Sequence, residues 1–408
     1  MRRTYGKMRI NTRLKKTDSW IERAELSIGR RINSDGGLGQ YVHIQMPMIS
    51  GKPISDSLLI LGRTGSGKSV AKRLIYWGFS KVRPVWIFDY PGRDHYLSYM
   101  PNTNMRDKLP PGIHPEGLKG NYYYYAMPYA RFIRDWEINI RPNFTKYTKR
   151  QLERLGFNPA AARYLKNVMV KFGPFKSMDT LFEFMEHYPC NAYDFKKASK
   201  LNLQHKKEYI DNSFISAQSK SPLIDTLYEL KNLDIFNTDN SKEINWEKLY
   251  LSRRHAVFSY NSEFLGKAEI DYAFDMIQKL RNKYLVDGPR PFVFIEEAHN
   301  VFDEGISRFI TVCRKLSVGI CMTCPKIPDE MPKDVLGDIK NIICGKLKGS
   351  TYQDVAALIS DTRARGIQTL KSNMYTGQRE MLYFNGHYDY IFSPLLMFAC
   401  PQEMHREV

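Results

Sequence analysis

The sequence predicts an α/β protein built on a mainly parallel sheet with helices on both faces. Three observations carry that expectation. Short apolar runs alternate along the chain with stretches of helical spacing, the pattern of strands joined by crossover helices. Three of those runs meet polar residues or glycine at their C-terminal tips: Ser57–Leu61 meets Gly62, Val85–Phe88 meets Asp89, and Phe292–Ile295 meets Glu296 and Glu297. Open parallel sheets present ligand-facing groups at those tips. The first run also opens directly into Gly62-Arg63-Thr64-Gly65-Ser66-Gly67-Lys68-Ser69 and then, from Val70, into a helix. Strand, glycine loop and helix in that order make a phosphate-binding P-loop.

Residues 1–31 carry ten Lys or Arg against three acidic residues and read as a basic arm. A loop at 34–39 then leads to Tyr41–Gln45, whose alternation predicts a short strand. Together they form an expected N-terminal segment, 1–50. In the P-loop, glycines let the backbone curl its N–H groups toward phosphate oxygens, and the following helix adds its positive end. Lys68 can reach the β- and γ-phosphates, and Ser69 offers a hydroxyl to Mg²⁺. Gly62 through Val70 are thus the expected nucleotide-binding residues. Ala71, Leu74, Ile75 and Phe79 continue at helical spacing, and Val85–Asp89 is the next strand.

From 97 to 244 the pattern changes. Prolines at 101, 110, 111 and 115 interrupt one stretch, four tyrosines follow at 122–125, and helical segments such as 149–172 come next. This region is expected to be an inserted, mostly helical subdomain. Residues 119–175 hold eleven Lys or Arg, three acids and thirteen aromatics. The aromatics are expected to form the insert's core, while its net charge suits a nucleic-acid surface. Sheet-forming sequence returns with strands at 256–260, 292–295, 318–323 and 341–347 and helices marked by Ile270 to Tyr284, Phe309 to Leu316, and Ala356 to Ile359. Residues 51–96 and 245–395 form the expected discontinuous core, and 396–408 a tail.

At 408 residues and 43% hydrophobic the chain can bury a core plus a sizeable insertion, and its net charge of +18 calls for a polyanionic partner. Without an eighteen-residue apolar run or a signal-peptide core, the expectation is a soluble cytoplasmic protein with no membrane insertion. The six cysteines are irregularly spaced, which fits reduced thiols. Cys321 and Cys324 have the spacing of a metal or redox pair, but they sit in an apolar strand without a second pair and read as structural.

Hydrolysis needs an acid at the tip of a second strand to position Mg²⁺ and a neighbour to orient water. Glu296 fits the first role and Glu297 the second. Positive charge near the γ-phosphate could come from Arg308, Arg314, Arg363 or Arg365. His299 is assigned no catalytic role.

Four segments, 61–69, 87–92, 295–299 and 313–319, resemble in sequence and order the HerA–FtsK superfamily of P-loop motors, covering about 50–96 and 245–360. The resemblance implies a RecA-like core. It also implies ATP and Mg²⁺ bound between subunits of a homo-oligomeric, usually hexameric ring, and sequence-independent translocation of double-stranded DNA. It assigns Arg314 the role of an arginine acting on the neighbouring subunit's nucleotide, beside Glu297 and Lys68. Three departures accompany it. Pro325, preceded by Thr323 and Cys324, stands where the family usually has a glutamine. Neither HerA's N-terminal β-barrel nor the membrane anchor of chromosome pumps is expected. The reading is therefore a stripped-down DNA motor, with a secretion or virion-assembly ATPase acting on a protein partner as the alternative.

Overall fold

The computed structural model describes residues 21–49, 52–53, 56–89, 101–103, 108–110, 112–116, 122–126, 138–190, 215–239, 243–259, 263–347, 353–355, 370, 372–373, 378–385 and 390–398. The chain divides into two compact units. The first comprises Met1–Tyr124, Glu247–Ser259 and Ile277–Val408, the second Tyr125–Trp246 and Tyr260–Met276.

The first unit is a sheet protein. Its strands are β1 (Ile21–Ile32), β2 (Leu38–Ile49), β3 (Lys52–Pro53), β4 (Ser57–Leu61), β5 (Val85–Asp89), β8 (His255–Ser259), β9 (Phe292–Ile295), β10 (Gly319–Cys324), β11 (Asn341–Cys344), β12 (Ser372–Asn373), β13 (Gln378–Asn385) and β14 (Tyr390–Met397). The parallel part runs in the order β11-β4-β10-β9-β5-β8. Every residue of β5, β9 and β10 is buried, as expected of strands covered on both faces. Helix α1 (Lys68–Ser80) packs aromatic edges onto β9: Tyr76 against Phe294 at 5.8 Å and Phe79 against Phe292 at 4.5 Å between ring centroids. The expected sheet with flanking helices is what the structure has, with a RecA-like P-loop topology.

Beyond β11 the sheet turns antiparallel and continues through β13, β14, β1 and β2 to β3. This flank corrects the expectation for the N-terminal segment. Residues 21–31 form a strand rather than part of an arm, and the short strand at 41–45 is a twelve-residue one. The charges of β1 alternate with apolar residues, so Leu26 and Ile28 are buried while Ser27 and Arg30 are only half so. Gly29 is required where β1 crosses β14, because a Cβ there would sit 2.4 Å from the Leu396 carbonyl oxygen. The expected start of the tail at 396 also shifts, since β14 reaches Met397. Residues 1–20, 90–94, 356–359 and 399–408, on which other expectations fell, lie outside the described residues.

Two short parallel strands, β6 (Tyr122–Ala126) and β7 (Ile138–Asn139), come between β5 and β8 in the chain, and the second unit is mainly helical. The expected 149–172 segment is two helices, α2 (Lys149–Arg154) and α3 (Pro159–Phe172). Gly156 at φ 95° breaks them, and Asn158 caps the second with Pro159 in its first turn. Helices α4 (Met178–His187) and α5 (Ala217–Asn232) follow. Among the described residues, three of the aromatics expected in the core are there: Phe144, Tyr147 and Phe157 are buried, and Phe144 meets Phe236 at 5.2 Å. Helix α6 (Trp246–Leu251) leads into β8, and α7 (Glu263–Lys283) follows it. The first part of α7 contributes a polar layer to this unit. Arg150 clasps Asp271 at 2.9 and 2.6 Å, Gln151 donates to Asp275 at 3.0 Å, and the Tyr147 hydroxyl donates to buried Glu269. Burial pushes the Glu269 carboxyl up to about 8, against the Tyr147 hydrogen bond. A cavity of about 310 Å³ in this unit is lined by both signs of charge, including the Arg141–Asp234 pair at 2.6 Å, and offers no site of one sign.

Candidate nucleotide site

The glycine loop is shaped by backbone that other residues disfavour. Gly62, Gly65 and Gly67 have φ of 152°, 79° and 98°. A Cβ on Gly62 would fall 2.2 Å from the Ser66 hydroxyl oxygen, so the loop closes on itself only with glycine there. Neighbouring strand ends hold it. The Gly62 N–H donates to the Cys324 carbonyl at 3.3 Å, Arg63 N–H to Lys346 O at 3.1 Å, and Gly345 N–H to Leu61 O at 2.8 Å. Arg63, Thr64 and Gly65 are exposed at the crest, Ser66 is buried beneath it, and Lys68, Ser69 and Val70 are half-buried.

Gly67 caps α1 in a left-handed conformation with no side-chain cap, and the first turn holds no acidic residue. The first-turn amides and the positive helix end therefore face the loop. Lys68 Nζ donates to Gly62 O at 2.5 Å. Burial lowers the Lys68 ammonium's pKa, opposed by the charge of Glu297.

Strand order sets the opposite wall. β10 lies between β4 and β9, so Thr323 and Cys324 stand between the glycine loop and the two glutamates. Glu296 follows the last residue of β9 and is bound by Lys72 of α1 in a buried ion pair. Glu297 takes a left-handed backbone, φ 43° and ψ 46°, at the head of the short helix α8 (Ala298–Val301). A non-glycine residue held there stores strain that its surroundings must maintain. The Glu297 N–H donates to the Thr323 hydroxyl oxygen at 3.2 Å, and its carboxylate lies 3.5 Å from His299 Nδ1. Lys72 and the Thr323 contact were missed in the sequence reading; the four-residue step from Lys68 to Lys72 was the available signal.

Arg314 is not brought to this site. It sits exposed near the end of α9 (Glu304–Leu316), before β10 begins. The glutamates and the loop lie at the other end of β10, about 17 Å away along a six-residue strand. Two buried arginines fix the turn after Arg314: Arg281 Nε donates to Leu316 O at 2.7 Å, and Arg83 Nη2 to Ser317 O at 2.9 Å. Arg308 pairs with Glu304 on the surface at 2.7 Å, and Arg363 and Arg365 lie outside the described residues. Cys321 and Cys324 are fully buried, and burial pushes the Cys324 thiol up to about 12, which suits neither metal nor redox chemistry.

The residues fit a nucleotide phosphate chain: the loop turns through three glycines of positive φ, and an uncapped helix end and a lysine lie at it. Among the described residues no group of three or more His, Cys, Asp or Glu could hold a metal alone. The oxygens beside the loop, the Ser69 hydroxyl and the Glu296 carboxylate, are of the kind that a Mg²⁺ carried on phosphates would take, one or two from the protein.

This sheet order and loop define a P-loop NTPase fold. No protein-family model matches the chain, and no curated protein sequence does. Solved structures do. The bacterial conjugative coupling protein TrwBΔN70, in its unbound form, superposes with a TM-score of 0.55 at 14% identity, covering 86% of each chain. The plasmid coupling protein TrwB with a non-hydrolysable GTP analogue gives 0.53 at 15%, over 86% of this chain and 87% of that one. VirB4 of Thermoanaerobacter pseudethanolicus gives 0.49 at 13%, over 93% and 96%. The chain shares the P-loop fold of these coupling proteins. Among the described residues, no helix is long and apolar enough to cross a membrane.

Proposed function

We propose that the chain is an ATP-driven translocase of double-stranded DNA that works as a hexameric ring of identical subunits. The observation that carries this reading is the uncapped α1 end and glycine loop set one strand away from consecutive glutamates. In this reading the loop amides and Lys68 bind the triphosphate, and Glu297 orients the attacking water and takes its proton. Ser69 and Glu296 would hold Mg²⁺, which would neutralise charge on the phosphates. Arg314, at the opposite end of β10 from its own glutamates, serves the site of the neighbouring subunit. The coupling proteins with this fold support a nucleic-acid cargo, as does the basic charge of the chain.

Duplex DNA should then raise the ATPase rate, and the stimulation should fall steeply with salt as counterion release is lost. Glu297→Gln should bind a fluorescent ATP analogue within a few-fold of wild type while turnover drops at least about 100-fold. Unchanged turnover in that variant would remove Glu297 from the mechanism. Stimulation by no duplex of any length would remove DNA as the cargo.

A further inference from the structure

Lys72 is a charge that nucleotide binding does not call for. It lies one turn beyond Lys68, so the two lysines share a face of α1. Its side chain is 3% exposed, and it donates to Glu296 Oε1, whose side chain is 10% exposed. The arrangement sets two lysines against two consecutive glutamates. Glu297 acts on Lys68 through space, and Lys72 holds Glu296 directly. A buried carboxylate that already has an ammonium against it presents little net charge to a divalent cation. A cation entering alone must break that pair and leave a buried ammonium without a counter-charge. A cation entering with a triphosphate brings anionic oxygens to the same wall, and the lysine can turn toward them.

We propose that Lys72 is an internal counter-ion that closes Glu296 to free divalent cations and yields it to a cation delivered on nucleotide phosphates. This rests on the reading of Glu296 as the acid that faces Mg²⁺. Lys72 is then a positioning residue, and metal loading of the site becomes conditional on nucleotide.

The test uses Mn²⁺ as probe, its free concentration read by electron paramagnetic resonance, on the full chain. Wild type should bind Mn²⁺ through Glu296 only when a non-hydrolysable ATP analogue is present. Lys72→Gln keeps a hydrogen-bond donor but removes the charge, and should bind Mn²⁺ without nucleotide at least about tenfold more tightly than wild type. The added Glu296→Gln change should abolish that gain, and Lys72→Arg should behave as wild type. The proposal is overturned if Lys72→Gln gains no Mn²⁺ affinity. It is equally overturned if nucleotide-free wild type binds Mn²⁺ tightly at a site lost in Glu296→Gln, a result that needs no folded Lys72 variant. Titration of a fluorescent ATP analogue in excess Mg²⁺ separates the two levels. Failure of that binding removes the nucleotide reading, while the comparison of Mn²⁺ binding still decides the role of Lys72.

Discussion

Glu297 is held in a conformation it would not choose. Its backbone is left-handed, its N–H donates to the Thr323 hydroxyl oxygen, and its carboxylate lies 3.5 Å from His299 Nδ1. Thr323→Val removes that acceptor with almost no change of shape. The expected result is a kcat lowered about tenfold with KM for ATP unchanged, because one hydrogen bond that fixes the water-orienting group is lost. Steady-state kinetics read this directly, and a rise in KM alone would put Thr323 in nucleotide binding instead. The glycines, Lys68 and the two glutamates were legible in the sequence because each belongs to a short continuous segment with its own geometry. The Lys72–Glu296 pair joins residues 224 positions apart and the Glu297–Thr323 bond residues 26 apart, so neither is legible before strand order is known.

Among the elements, β8 and α7 carry opposite responses to pH. His255 at the start of β8 accepts the Val85 N–H on Nδ1 at 3.0 Å, so its ring must stay neutral, and burial lowers its pKa from the usual 6.5 to about 4. Because the folded value is depressed, this stabilisation is full above pH 6.5 and is lost as pH falls toward 4, by up to about 3 kcal/mol. Glu269 of α7 is the reverse. Its raised value makes its contribution full below the unfolded pKa near 4.5 and lost as pH rises through about 8. Glu269→Gln should therefore raise Tm by several degrees at pH 8 and by much less at pH 5, as thermal unfolding by circular dichroism will read. His255→Gln should flatten the acid limb between pH 6.5 and 4. The parallel strands were legible from their unbroken apolar runs. The antiparallel flank was not, because half the residues of β1 are polar and the segment reads as a charged tail.

For the whole molecule, the distance between Arg314 and its own glutamates has a consequence for mixtures. If Arg314 completes the next subunit's site, Arg314→Ala and Glu297→Gln proteins are each inactive, yet each supplies what the other lacks. Mixed in equal amounts, they should regain about a quarter of wild-type ATPase activity, the share of interfaces that pair an intact glutamate with an intact arginine in a head-to-tail ring. No regain on mixing, with both proteins assembled by light scattering, would remove the arginine from that role.

The bonds that hold the glycine loop also decide what the loop can pull on. Arg63 and Leu61 are tied to Lys346 and Gly345, just past the end of β11, and β11 is the strand from which β13, β14 and β1 continue. Seen as a linkage, the loop has a stiff rod on one side, running to both terminal segments of the chain, and the glutamates on the other. Any displacement of the crest by a phosphate is a tug on that rod. Hydrogen exchange should register it as altered protection at 341–346 and 381–383 on nucleotide binding, well beyond the residues that touch the phosphates.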